Sequence, residues 1–290
     1  GTPPEPWLEE HDACGVGFVA RATGERSHEI VRMALQAVAR VAHRGAASTD
    51  NSGDGAGLLT QIPERLFLRE AHQLGLRLRA GQRFAVGALF LPSEGAALTR
   101  ATAMVERVLI RNGMPVLGWR EVPTDPSALG PLARASCPAI RQVFAAPPLL
   151  AVGARWEDDA WERTLYLARR DLEREAEAAG ISPFFVCSFS CRTIVYKALL
   201  TGAQLPRFYP DLTAPEYETA VAVFHQRYST NTLPSWPLAQ PFRMIAHNGE
   251  INTLWGNRNA MAAREPDLSS PVWKREIDRI KPVIWAAGSD

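Results

Sequence analysis

Lysine is almost missing from this chain. Lys197, Lys274 and Lys281 are its only lysines, and arginine supplies the rest of the 32 basic residues. Cysteine is scarce too: Cys14, Cys137, Cys187 and Cys191 among 290 residues are too few for a disulfide scaffold. Cys187 and Cys191 have no second Cys or His pair at ligand spacing, so they read as buried strand residues rather than metal ligands. No apolar run approaches the roughly 18 residues of a membrane span. The Pro-rich, acidic start GTPPEPWLEEHDA lacks a signal-peptide pattern. Neither sign of charge prevails: 32 basic against 31 acidic residues leave a net charge of +1, and the basic ones are scattered. That is unlike the one-faced basic patch of a nucleic-acid binder. The expected setting is the cytoplasm, with neither membrane nor nucleic acid among the partners. What is present is a globular composition, 46% hydrophobic and 22% charged, in a chain long enough for a large core.

The apolar patterning predicts mixed α and β structure. Short strands are expected at Gly15–Ala20, Leu58–Gln61, Phe84–Leu91, Val116–Val122, Ile140–Ala145, Thr219–Gln226 and Met244–Ala246, with a β-rich stretch from Phe184 to Tyr196. Helices are expected from His28 to about Arg44 behind a Ser27 cap, over Ala96–Asn112, over Trp156–Ala179 and over Glu250–Arg264. Gly113 and Gly180 mark two of their ends. Many strands with a few long helices predict two packed sheets covered by helices. Residues 1–13 have the makings of an extended leader, and the end at Ala287-Gly288-Ser289-Asp290 reads as a cut from something longer.

The chemistry-bearing residues gather in a few places. Cys14 stands at the start of a strand, flanked by Gly15 and Gly17, which let other groups approach the backbone. With the leader removed, Cys14 would carry a free α-amine, and a thiol and an amine on one residue make a self-contained nucleophile and base. Such an amine titrates near 7.7–8.0, well placed for proton transfer at neutral pH. The stretch FHQRYSTNTLPSWPLAQPFRMIAHNGEINT, from Phe224 to Thr253, holds the rest. Arg227 follows an apolar strand, so its guanidinium is expected at a sheet end, able to grip a carboxylate with two parallel hydrogen bonds. Thr230 adds a hydroxyl. The Asn248 side-chain amide and the Gly249 N–H can converge on one oxyanion, although Asn-Gly is also a common tight turn. Gly53-Asp54-Gly55-Ala56-Gly57 lacks the Gly-Lys-[Ser/Thr] ending of a phosphate loop. Its glycines are better explained by backbone crowding against another element.

Taken in series, several segments resemble one family. They are Asp12–Phe18 (DACGVGF), His43-Arg44-Gly45, Gly53–Gly57, Arg192–Lys197 (RTIVYK), Arg207–Leu212 (RFYPDL) and Pro237–Asn259 (PLAQPFRMIAHNGEINTLWGNRN). The chain is similar to the amino-terminal amidotransferase domain of the glutamate synthase family, a class II glutamine amidotransferase of the N-terminal-nucleophile hydrolase type. The resemblance implies an α+β fold, a four-layer αββα sandwich spanning residues 14–290 behind a leader at 1–13. It implies hydrolysis of L-glutamine to glutamate and ammonia through a thioester on Cys14, with Asn248 and Gly249 as the oxyanion hole. Arg227 and Thr230 would bind the substrate α-carboxylate, Asp290 the α-ammonium, and Arg44 would fix the backbone around the nucleophile.

No metal or cofactor is expected in this domain. The parent enzyme would carry FMN and an iron–sulfur cluster in a synthase region and draw electrons from a reductase subunit or ferredoxin. Three other readings compete: a catalytically silent regulatory or scaffold domain of the same fold, an amidotransferase serving a different acceptor, and a papain-like hydrolase using His225 or His247 as base.

Overall fold

A computed structural model describes residues 15–44, 50–148, 157–226, 233–243 and 254–284, without the side chains of Arg44 and Leu254. The strands are β1 (Gly15–Ala20), β2 (Ala56–Gln61), β3 (Ala85–Leu91), β4 (Val116–Glu121), β5 (Ala139–Ala145), β6 (Phe185–Ser190), β7 (Thr193–Ala198) and β8 (Val221–Gln226). The helices are α1 (His28–Arg40), α2 (Glu64–Gln73), α3 (Gly95–Arg111), α4 (Pro131–Ala135), α5 (Asp158–Ala178), α6 (Leu205–Phe208), α7 (Leu254–Arg264) and α8 (Ile277–Ile280).

The strands form two four-stranded sheets, ordered β1-β8-β2-β7 and β4-β5-β3-β6, and every pairing within them is antiparallel. Two residues, Cys191 and Arg192, carry the chain from β6 in one sheet to β7 in the other. Cys191 is therefore a half-buried turn residue rather than a buried strand residue, and its N–H donates to Glu162 Oε1 at 2.7 Å. Cys187 does lie buried in β6, where loss of hydration pushes its thiol up to about 12.

Each sheet is covered on its outer side. The stripe Ile30, Val31, Ala34 and Val38 repeats at helical spacing and buries α1 against β1 and β8. Helices α3 and α5 pack on one another and on the second sheet, with Met104, Val105, Val108, Trp161, Leu165 and Leu172 in one core. A second core lies between the layers and takes in Leu58, Tyr196 and Phe224 from the first sheet and Val86, Phe90 and Phe144 from the second. Strand β3 is buried along its whole length because Val86, Ala88 and Phe90 face one core while Ala85, Leu89 and Leu91 face the other. A strand covered on both faces has no polar side, which is why its sequence shows an apolar run and not an alternation.

Helix ends follow local chemistry. Gly113 and Gly180, at φ +75° and +61°, take the left-handed turn that ends α3 and α5. Ser27 occupies the N-cap position of α1, but its side chain makes no capping hydrogen bond. Its backbone instead pairs with Thr219 across an isolated bridge. Helix α1 stops at Arg40, four residues short of the expected end, and a 3-10 turn, Ala42–Arg44, follows. Strand Met244–Ala246 lies outside the described residues.

Helix α2 has no counterpart in the sequence reading. It is placed by Leu66, Phe67 and Ala71, which enter the core between the layers, with the Phe67 ring edge-on to Phe144 at 5.2 Å. Above it, Arg120 of β4 is almost fully buried and paired. Its Nη1 and Nη2 donate to the two oxygens of Asp211 at 2.7 and 2.8 Å. Its Nε and Nη2 also donate to Glu70 Oε2 at 3.1 and 2.8 Å. Gln142 of β5 accepts from Arg120 at 3.1 Å and donates to the Tyr196 hydroxyl of β7 at 2.9 Å. That hydroxyl donates to Asp211 at 2.6 Å. The network thus ties both sheets, α2 and the 3-10 turn Pro210–Thr213 into one polar knot within the core.

Candidate active site

One end of the first sheet collects the segments singled out in the sequence. Register sets Gly15 opposite Gln226, Gln226 opposite Ala56, and Ala56 opposite Ala198. These are the first residue of β1, the last of β8, the first of β2 and the last of β7, so four chain segments meet along one row. Cys14 precedes Gly15 by one peptide bond and Arg227 follows Gln226 by one. The strands that lead to them are therefore hydrogen-bonded neighbours whose marked ends coincide. The Gly53–Gly57 loop enters β2 at the same row.

Glycine is required where these segments press together. A Cβ on Gly53 would fall 2.1 Å from the Leu200 carbonyl carbon and 2.2 Å from the Thr201 nitrogen. One on Gly57 would fall 2.5 Å from the Tyr196 oxygen and 2.8 Å from the Gln240 oxygen. Crowding, rather than phosphate binding, accounts for this loop, as expected. The polar residues just before it are hydrogen-bonded within the fold: Asp50 accepts from the Ser52 N–H at 2.9 Å and the Leu132 N–H at 3.0 Å. Ser52 Oγ accepts from the Ala133 N–H at 3.2 Å. Gly53→Ala forces backbone apart at this row. It is expected to lower stability by about 1–3 kcal/mol, read as a fall in the thermal midpoint.

The segment 233–243 runs over the same end of the sheet. Trp236 is buried, edge-on to Phe90 at 5.6 Å, and its Nε1 donates to the Ala133 carbonyl at 3.3 Å. Ala239 packs where a Gly55 side chain would otherwise be, and Gly55 itself sits at φ +122°. Lys197 of β7 donates from Nζ to the Pro237 carbonyl at 2.7 Å and lies 4.4 Å from the centre of the Phe242 ring. Arg243 stacks over Tyr166 of α5 at 4.9 Å. On the row next to the sheet end, His225 pairs with both Val16 and Gly57, and its side chain is 2% exposed.

Farther along, residues 265–284 are tied to α5. Arg174 donates to the Arg279 carbonyl at 2.6 Å, Arg170 to the Pro282 carbonyl at 2.6 Å, and Arg279 pairs with Asp171 at 2.7 Å. Residues Cys14, Arg227, Thr230, Asn248, Gly249 and Asp290, together with His247, lie outside the described residues, as does the side chain of Arg44. Sequence reasoning missed Lys197 as a buried residue that contacts this segment, and missed the Arg120 knot. A lone lysine inside an apolar strand was the available signal for the first. Arg120 and Asp211, 91 residues apart, offered none for the second. Among the described residues no group of three or more His, Cys, Asp or Glu is placed to hold a metal ion, and no helix is long and apolar enough to cross a membrane.

Two antiparallel sheets between helical layers make an αββα sandwich, and the family match places it in the N-terminal-nucleophile hydrolase type. Residues 14–290 match the class-II glutamine amidotransferases, and the chain belongs to that family. It is 46% identical to ferredoxin-dependent glutamate synthase 2 of Synechocystis, over 99% of this chain and 18% of that protein. It is 42% identical to the ferredoxin-dependent glutamate synthase of Pyropia yezoensis, over 97% of this chain and 18% of the relative. Against the NADPH glutamate synthase large chain of Azospirillum brasilense the identity is 40%, over the same shares. The chain thus spans less than a fifth of these relatives.

Proposed function

We propose that this chain hydrolyses L-glutamine to glutamate and ammonia, as the ammonia-supplying domain of a glutamate synthase. One observation carries the reading: the family match begins at Cys14, the residue that precedes the first strand of the sheet. In this reading the leader, residues 1–13, is removed and the Cys14 α-amine takes the thiol proton. The sulfur attacks the side-chain amide carbon of glutamine, and the Asn248 amide and Gly249 N–H hold the resulting oxyanion. The tetrahedral intermediate collapses, ammonia leaves with the proton, and a γ-glutamyl thioester remains. Water then splits the thioester and releases glutamate. Arg227 and Thr230 bind the substrate α-carboxylate, Asp290 its α-ammonium, and Arg44 steadies the backbone beside the nucleophile.

Ammonia would pass to a synthase region elsewhere in the parent protein for reductive addition to 2-oxoglutarate. FMN and an iron–sulfur cluster belong to that region, with electrons from ferredoxin or a reductase subunit. The cytoplasm is the proposed location.

Losing one oxyanion donor typically costs about 10²–10³ in rate. Asn248→Ala is expected to lower kcat for glutamine hydrolysis by that factor while KM changes little, because the interaction forms only when charge develops on the oxygen. Steady-state ammonia release measures both constants. Unchanged kcat would remove Asn248 from the oxyanion hole.

A further inference from the structure

Lys197 is the one lysine the core contains. It lies on β7 and is 1% exposed. No carboxylate pairs with it among the described residues, although arginines throughout the chain have acidic partners. Its ammonium instead donates to the Pro237 carbonyl at 2.7 Å and sits between two aromatic rings, Phe185 at 4.5 Å and Phe242 at 4.4 Å. Burial pulls its pKa down to about 8, which still leaves most of the ammonium charged at neutral pH. A desolvated cation held by a carbonyl and two ring faces is costly to build. An apolar side chain would fill the same space without that cost.

What the arrangement accomplishes follows from which chain it grips. Phe185 belongs to the second sheet and Lys197 to the first, while Pro237 and Phe242 belong to the segment crossing the end of the first sheet. That segment is held at Trp236 through Ala133 and at Arg243 over Tyr166, and Lys197 grips it between those points. Arg243 stands five residues before Asn248 in the chain. Strands β7 and β1 are the opposite edges of the sheet, three spacings of about 4.8 Å apart. An ammonium on a four-carbon stem pointing at Pro237 does not reach across that distance, so Lys197 does not itself touch the chemistry proposed beside Cys14.

We propose that Lys197 is a positioning residue for glutamine hydrolysis: it clamps Pro237–Phe242 to both sheets and so fixes the chain that leads into the Asn248–Gly249 oxyanion donors. The claim rests on the proposed glutaminase reading for its kinetic part only. Substrate is bound by other groups in that reading, so a loosened clamp costs transition-state stabilisation more than ground-state binding.

The test uses the full-length protein with Lys197→Met, which keeps the length and loses the charge and donors. A second variant, Phe242→Leu, removes one ring and keeps an apolar filler. Three readouts are needed. Amide hydrogen exchange in peptides covering 236–243 is expected to rise at least tenfold in both variants, while exchange in β3 and α5 stays unchanged. The kcat for glutamine hydrolysis is expected to fall about ten- to a hundredfold, with KM within about threefold. Inhibition by glutamate γ-semialdehyde is expected to weaken in proportion to kcat. The Cys14 thiol adds across that aldehyde to give a thiohemiacetal, whose oxygen needs the same donors. Unchanged exchange in 236–243 overturns the clamp. Increased exchange with wild-type kcat, or a change confined to KM, overturns its link to the oxyanion donors. Should Lys197→Met not fold, Phe242→Leu decides by the same criteria. An unmutated, leader-free protein that releases no ammonia from glutamine would instead overturn the functional reading, and the exchange result alone then decides the clamp.

Discussion

Cys14→Ala is expected to abolish glutamine hydrolysis. The sulfur is the only protein atom in the proposed scheme that forms a covalent bond to substrate, so no other group of the chain carries the acyl group. Removal of a nucleophile from a comparable acyl-transfer site costs on the order of 10⁴–10⁶ in kcat. What remains is water attack assisted by the oxyanion donors. The assay is ammonia release from glutamine, and substrate binding is followed separately by calorimetry, where little change is expected. A second measurement isolates the α-amine. A form that keeps residues 1–13 has an amide nitrogen at Cys14, which cannot accept a proton at neutral pH. That form is expected to be inactive until the leader is cut, with intact mass reporting the cut. Hydrolysis by Cys14→Ala at more than about 1% of the wild-type rate would end the thioester scheme.

Arg120→Met is expected to produce the largest loss of stability of any single change outside the site. Arg120 pairs with Asp211, which is 4% exposed, and with Glu70. Burial opposes its charge, but the Asp211 hydrogen bonds and the neighbouring negative groups outweigh it, and the guanidinium is held charged well above its ordinary range. Burial likewise opposes ionisation of Glu70, yet the bonds from Arg120 and Arg69 prevail and hold its pKa below the usual carboxylate value. Removing the arginine leaves the Asp211 carboxylate buried with Tyr196 as its one remaining side-chain donor among the described residues. Breaking a buried pair in this way typically costs about 3–5 kcal/mol, or roughly 10 °C in thermal midpoint for a chain of this size. Replacing the charged group as a whole, Arg120→Met with Asp211→Leu and Glu70→Leu, is expected to recover most of that loss, because the desolvation penalty disappears with the charges. Thermal and urea unfolding of the single and triple variants measure both. A single variant as stable as the wild type would show that the knot contributes nothing net.

The elements that could be read along the chain are those whose signal is local. Helix α5 has two aspartates in its first turn, an apolar stripe and Gly180 at its end, and the expected Trp156–Ala179 lies within two residues of it. Strand β3 shows as an apolar run because two cores claim its faces. Helix α2 was not legible: it starts behind Pro63 with a low mean hydropathy, and only the Phe67–Phe144 contact and the Arg120 knot say which side is inside. Ser27 takes the expected N-cap position of α1, but its side chain makes no capping hydrogen bond, and its backbone also pairs with Thr219, 192 residues away, which no local signal announces.

The amino-acid sequence by itself determined the reactive candidates. A cysteine before a Gly-Val-Gly strand, an arginine after an apolar strand and an Asn-Gly pair are each local facts of residue type. The family was legible for the same reason, since its motifs are contiguous. Only the tertiary structure decided that the strands behind Cys14 and before Arg227 are neighbours in register, and that Gly53 and Gly57 are pressed against other backbone. It alone decided that Lys197 holds a segment forty residues further along the chain. Those outcomes depend on strand pairing and packing between distant segments. Such contacts are set by the shared burial of many side chains at once, and no stretch of the chain encodes them alone.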